Sequence, residues 1–257
     1  MSTVKATNIQ EPNSATVNMV LNTSGAVAVG QNLSVAGTTT LTGSLASTLN
    51  LVAGTTTVAP LDFATGTNLT TAIAGGMEYD GTVFYATPTA SQRGVIMAEQ
   101  IILLQSAYTL TAQTAAQKLF NTPASGQVTL SVGTYEFECF YSLSSLSSTS
   151  STFGFALGGT ATFTQFFQSL AIRNGTVSSP TAPNTTYNIA ANTNISGLNT
   201  STSGIANISG IINVSASGTV IPQVSLSVAA AAIVGIGSYF RIRPIGNTTV
   251  TSVGNWS

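Results

Sequence analysis

The chain has 257 residues, of which 5% are charged: six Lys/Arg and seven Asp/Glu, for a formal net charge of −1, with no histidine and one cysteine. Against a usual charged fraction of about 25%, this excludes the Lys/Arg stripe with which proteins neutralise a nucleic-acid backbone. It also excludes a zinc site, a Ser-His-Asp triad and a Cys-His pair, because histidine is missing, and a lone Cys139 excludes an intrachain disulfide framework.

No stretch reaches the ~18 apolar residues of a membrane helix, the longest candidate being residues 228–236. Residues 1–10 have no apolar secretory core, so the expectation is a soluble, leaderless chain. At this length it could form one large all-β domain or a domain with an extended appendage.

In chain order, residues 13–29 read as a short β-prone hairpin around Thr23-Ser24-Gly25. The hexapeptide VAGTTT occurs at residues 35–40 and again at 52–57, seventeen residues on. Two copies fall short of a solenoid, and Thr-rich strands broken by Gly bury too little to stand alone. Association of several identical chains, each supplying strands to a shared core, answers that need; a flexible Gly/Thr linker is the competing reading. Residues 1–60 are thus expected to be an attachment region and a Thr/Gly-rich β shaft.

Residues 61–97 form a neck. GGMEYDGTVFY, residues 75–85, reads as a hairpin turning at Asp80-Gly81, a strong two-residue turn signal. Glu78, Asp80 and Arg93 concentrate charge there, and the expectation is that the carboxylates serve the turn and an ion pair with Arg93 rather than a metal or catalytic role. A domain boundary is expected near residue 98, with AEQIILLQ (98–105) as a connector or first strand.

Residues 125–143, SGQVTLSVGTYEFECFYSL, hold the clearest β pattern. Val128, Leu130 and Val132 alternate with Thr129 and Ser131, a turn falls at Gly133-Thr134, and Tyr135, Phe137, Cys139, Tyr141 and Leu143 recur with period two. Cys139 therefore reads as a small buried hydrophobe, while Glu136 and Glu138 share the opposite face of a half-buried antiparallel strand. Further strands are expected at residues 152–157, 160–170, 205–214, 219–228 and 237–245, enough for two sheets of a sandwich or jelly roll. Residues 174–203, rich in Ser, Thr, Asn and Pro, are the candidate contact loop.

SGQVTL followed by GTYEF, with the late SYFRIRPI at residues 238–245, resembles the complement-type, tumour-necrosis-factor-like trimeric jelly roll over roughly residues 105–246. GMEYDGTVFY with RGVI at 93–96 resembles a segment common in bacteriophage virion proteins, where a Thr/Gly-rich β shaft precedes a globular tip. The opening residues 1–25 are similar to the start of such proteins in phages of aquatic bacteria.

The resemblance implies an all-β homotrimer: a shaft or attachment region (1–60), a β-hairpin neck (61–97) and an antiparallel jelly-roll β-sandwich head (98–257). It implies a virion fibre, spike or decoration protein, made in the host cytoplasm, that contacts other virion proteins (capsid, tail or baseplate) through its N-terminal region and a host-surface glycan through its tip. No cofactor, metal, nucleic acid, membrane insertion or enzymatic activity is expected. The rivals are a secreted or cell-surface carbohydrate-binding adhesin and a glycan-cleaving tail spike, the latter needing paired carboxylates. In the resembled jelly roll the strand after Gly133 and the last long strand are antiparallel neighbours, which implies that Glu136 meets Arg243 and Glu138 meets Arg241.

Overall fold

The computed structural model describes residues 53–89, 92–120, 126–147, 151–174, 184–188, 195–199 and 202–247. The expected hairpin at 13–29, the first VAGTTT copy and most of the shaft lie outside them. The chain divides into residues 1–60 and 61–257. In the first unit, residues 53–60 turn tightly: Thr55 N–H donates to Val58 O at 2.9 Å, and Thr55 Oγ1 accepts from Val58 N–H at 3.1 Å.

The second unit is all-β, with no helix among the described residues. It begins with β1 (Met77–Tyr79), β2 (Phe84–Thr89) and β3 (Gln92–Ile96), an antiparallel three-stranded sheet. Next come β4 (Gln100–Leu103), β5 (Tyr108–Thr109), β6 (Gln117–Lys118), β7 (Val128–Leu130), β8 (Gly133–Ser144), β9 (Ser151–Gly159) and β10 (Thr162–Asn174). The last are β11 (Asn184–Asn188), β12 (Ile195–Asn199), β13 (Gly204–Ala216), β14 (Gly218–Leu226), β15 (Ile233–Val234) and β16 (Tyr239–Gly246).

Two antiparallel sheets share one core. The eight-stranded sheet runs β11-β10-β13-β8, and the far edge of β8 is shared by β16 and β15, which carry β4 and β5 outside them. The five-stranded sheet runs β12-β9-β14, with β6 and β7 side by side on the last. Pro222 sits in β14 where β7 has ended and β6 begins. Its carbonyl accepts from Leu119 N–H at 2.9 Å, so the missing proline N–H falls at a gap in the ladder rather than inside it.

β8 shows why the sandwich forms. From Gly133 its residues alternate between buried and half-buried with no slip until Ser144, so one face is committed to the core. Phe137 lies at the centre, its ring 6.2 Å from Phe155 of the other sheet and 6.0–6.1 Å from Phe166 and Phe240 of its own. Cys139 is fully buried there, and burial pushes its thiol pKa well up.

The β7–β8 stretch departs from the sequence expectation. It reads as one hairpin, yet β7 pairs with β14 in the five-stranded sheet while β8 pairs with β13, β15 and β16 in the other. Alternation reports which face a residue takes and carries no information on which strand lies alongside. Here Ser131 and Val132 carry the chain across the sandwich.

The Asp80-Gly81 turn also differs. Tyr79 pairs with Phe84, leaving a four-residue loop, because Asp80 Oδ1 accepts from both Thr82 N–H (2.9 Å) and Val83 N–H (2.8 Å). That side-chain capping replaces the two-residue turn, and Gly81 takes φ +95°, open to glycine at no steric cost. The boundary expected near residue 98 falls within the second unit. The neck sheet joins the sandwich through Thr82 Oγ1, which donates to Val132 O, and through Asn247 Nδ2, which donates to Asp80 Oδ2, both at 3.1 Å.

Candidate functional site

Glu136 and Glu138 stand on the outward face of the eight-stranded sheet, and β16 lies antiparallel beside them. Arg241 is registered with Glu138, and Arg243 with Glu136. The two expected ion pairs form: Arg241 Nη2 to Glu138 Oε2 at 2.5 Å, and Arg243 Nη2 to Glu136 Oε2 at 2.7 Å. Arg241 also lies 3.9 Å from Glu99. Missing from the sequence reading is Tyr239, whose hydroxyl donates to the other oxygen of Glu138. Its signal was available, since a residue two before Arg241 on a strand shares its face.

Register extends this face into rows. One row runs Leu103, Tyr239, Phe140, Asn207, Ala171; the next runs Ile101, Arg241, Glu138, Ser209, Ser169. The first is mostly apolar, with Phe140 stacked on Tyr239 at 6.0 Å, and Ile101 and Leu103 at its margin are 58% and 48% exposed. A concavity of about 220 Å³ is lined by Phe140, Ala171, Ile205 and Asn207. Around the ion pairs the hollow is about 20 Å³, room for one water and no more.

The hydrogen bond from Tyr239, together with Arg241, holds the Glu138 carboxyl below its ordinary range. Both its oxygens are occupied by donors, an arrangement that keeps it ionised and suits it to pinning strand register rather than to delivering a proton. Glu136 is more open to water than Glu138, at 46% against 27% side-chain exposure, and exposed pairs of this kind are worth about 0.2–1 kcal/mol.

The second charged group is in the neck. Glu78 takes a bidentate contact from Arg93, Nε to Oε2 at 2.7 Å and Nη2 to Oε1 at 3.1 Å, and accepts from Leu69 N–H; Arg93 Nη2 also donates to Leu69 O at 2.9 Å. Both side chains are enclosed, at 11% and 4% exposure. The two carboxylates divide the expected roles: Glu78 takes the ion pair with Arg93, and Asp80 serves the turn through Thr82 and Val83, with Tyr85 and Asn247 as further partners. The Arg93 hydrogen bond depresses the pKa of Glu78. For Asp80, burial pulls the pKa up, but the N–H groups of Val83 and Thr82, with Asn247 and Tyr85, outweigh it and the net shift is downward.

Glu78, Asp80 and Glu138 thus share one sign of pH dependence. Each pKa is depressed on folding, so each stabilises fully above its ordinary value, 4.5 for Glu and 3.8 for Asp, and that stabilisation is lost as pH falls through the folded value. With no histidine in the chain, urea midpoints are expected to stay level between about pH 5 and 8 and to fall steeply below about 4. Midpoints that hold level down to about pH 3 contradict these assignments.

The expected contact loop at 174–203 contains two strands. β11 extends the eight-stranded sheet beyond β10, and β12 pairs with β9 in the other sheet; residues 175–183, 189–194 and 200–201 lie outside the described residues. The polar composition hid these strands, since Asn, Ser and Thr in an edge strand resemble a loop in sequence.

Fold and surface together define a class: an antiparallel β-sandwich protein in which Glu78, Glu136 and Glu138 are each paired with an arginine of the same chain. No protein-family model matches the chain, and no curated protein matches it.

Proposed function

We propose that this chain is a structural component of a bacteriophage particle: a homotrimeric surface fibre or spike, held by its N-terminal region and presenting the sandwich for host-surface attachment or capsid decoration. The observation that carries this reading is the strand order. Setting aside the short β5, β6 and β15 and the β11–β10 pair that widens the eight-stranded sheet beyond β13, and counting β4, β7, β8, β9, β12, β13, β14 and β16 in chain order, one sheet reads first, eighth, third, sixth and the other second, seventh, fourth, fifth. That order is compatible with a jelly roll, a double-sheet architecture common in viral structural proteins, and so supports this reading. The near absence of charge and the use of Glu136, Glu138 and Glu78 in ion pairs favour a durable scaffold over a hydrolase that needs free paired carboxylates.

Solution mass tests the assembly: three chain masses are expected at micromolar concentration, and a monodisperse monomer overturns the reading. Imaging whole particles at a resolution that traces the chain then separates capsid from tail. A second reading, a carbohydrate-binding adhesin, is favoured by the 220 Å³ concavity, where the Phe140 ring stands beside the Asn207 amide, the pairing of flat apolar surface and hydrogen-bonding group that a sugar uses.

A further inference from the structure

The outward faces of the two sheets of the sandwich are unlike. Among the described residues no exposed large hydrophobic side chain stands on the five-stranded sheet, whereas Ile101, Leu103, Phe167, Ile205 and Ile211 all stand on the outward face of the eight-stranded one, at 38–58% exposure. Scattered apolar side chains are ordinary on a surface, but their concentration on one face marks a contact. Register sorts them into two groups. Ile101 and Leu103 lie along the edge strand β4, and Phe167, Ile205 and Ile211 lie on β10 and β13, with β16 and β8 and their ion pairs between. Asn207, Ser209 and Ser169 stand among the second group and are polar.

The second group borders the concavity of about 220 Å³ between Phe140, Ala171, Ile205 and Asn207. Three of these four side chains present carbon, and Tyr239 backs the Phe140 ring from the side away from Asn207. A hollow of about 150 Å³ already admits a benzene ring, so this one has room for aliphatic side chains. The chain's own Leu103 cannot fill it, because β4 lies three strand spacings from β13, about 14 Å. We infer that Leu103, with Ile101 beside it, seats in this hollow on the next copy of the chain.

Three features assign the hollow to a second copy. The first is that projection and hollow are different patches at opposite margins of one face, and contacts between unlike patches are what close identical chains into a ring, where a single self-matching patch gives a two-fold dimer. The second is charge. Between the two margins Glu136 and Glu138 are held against Arg243 and Arg241 of their own chain, so identical faces meet without bringing a block of like charge together. The third is area. From β4 across β16, β8 and β13 to β10 the face is five strands wide, and with about eight residues of length it measures roughly 24 Å by 26 Å at sheet spacings. That is about 600 Å² in plan, before the relief of the side chains is counted, and approaches the ~800 Å² per partner of a standard interface. The inference deepens the trimer reading, rests on it for the number of copies, and takes the hollow away from the adhesin reading.

The test is cysteine cross-linking in the full chain, with wild type as the background because Cys139 is buried. Leu103→Cys combined with Asn207→Cys is the first pair, and Ile101→Cys with Ile205→Cys the second should the first fail to fold; all four positions are exposed. Samples are oxidised to form a direct disulfide and, in parallel, treated with a short bismaleimide. The expected result is denaturation-resistant bands at two and three times the chain mass for the paired variant and none for either single variant. A single variant that links to twice the chain mass shows like sites meeting and overturns the seating. A multimeric wild type whose paired cysteines react with a monofunctional maleimide but do not cross-link also overturns it and leaves the trimer standing. Cysteines that neither link nor react are covered by something other than each other, which overturns the seating as well. So does a cross-link to a different protein in whole particles. A monomeric wild type overturns both readings.

Discussion

Phe137→Ala is expected to lower the unfolding free energy by about 3–5 kcal/mol, the usual result of removing a buried aromatic ring when the surroundings cannot collapse. The ring is 1% exposed and touches phenylalanines from β9, β10 and β16, so its loss opens a hole between the sheets rather than at their margin. Its place is built into the backbone opposite. Gly210 is the residue registered with Phe137, and a Cβ there would stand 2.6 Å from the Phe137 ring. The glycine therefore makes room for the ring, a close approach that strands use glycine to allow. Urea unfolding measures the loss, with Phe140→Ala, on the outward face of the same strand, as the comparison. A Phe137→Ala loss no greater than that of Phe140→Ala means that Phe137 does not organise the core.

Arg93→Met is expected to open the neck, at a cost of about 3–5 kcal/mol, because it leaves the Glu78 carboxylate enclosed without its partner. Arg93 also donates to Leu69 O and lies 5.9 Å from the Tyr85 ring centre, so the strap at Leu69 loses one of its ties at the same time. Replacing both members, Glu78→Met with Arg93→Met, is expected to cost less than Arg93→Met alone, since no buried charge remains unpaired. The coupling between the two substitutions measures the pair itself. Hydrogen exchange at the amides of Gly66, Leu69 and Thr87, which bond to Tyr79 O, Glu78 and Gly76 O respectively, reports the neck separately from the sandwich. Equal protection in wild type and Arg93→Met shows that the pair does not hold the strap.

The sequence by itself determined the faces. Period two in residues 135–143 assigned Phe137 and Cys139 to the core and Glu136 and Glu138 to the surface, and the same spacing put Arg241 and Arg243 together on theirs. It reached the cross-strand pairing only by way of the resemblance, which supplied the neighbour that periodicity lacks. Tertiary structure decided the partners: β7 and β8, adjacent in sequence, belong to different sheets; Tyr239 completes the partners of Glu138; and Asp80, besides capping its own turn, accepts from Asn247, 167 residues away. The neck was the hardest to read, because alternation there is largely apolar on one side and mixed on the other. Local sequence cannot tell which side is enclosed when the enclosed one carries the ion pair. The reason is common to all of these. Alternation is a property of one strand's backbone geometry, whereas neighbours and burial come from where distant segments return, and that is set by the packing of the whole chain.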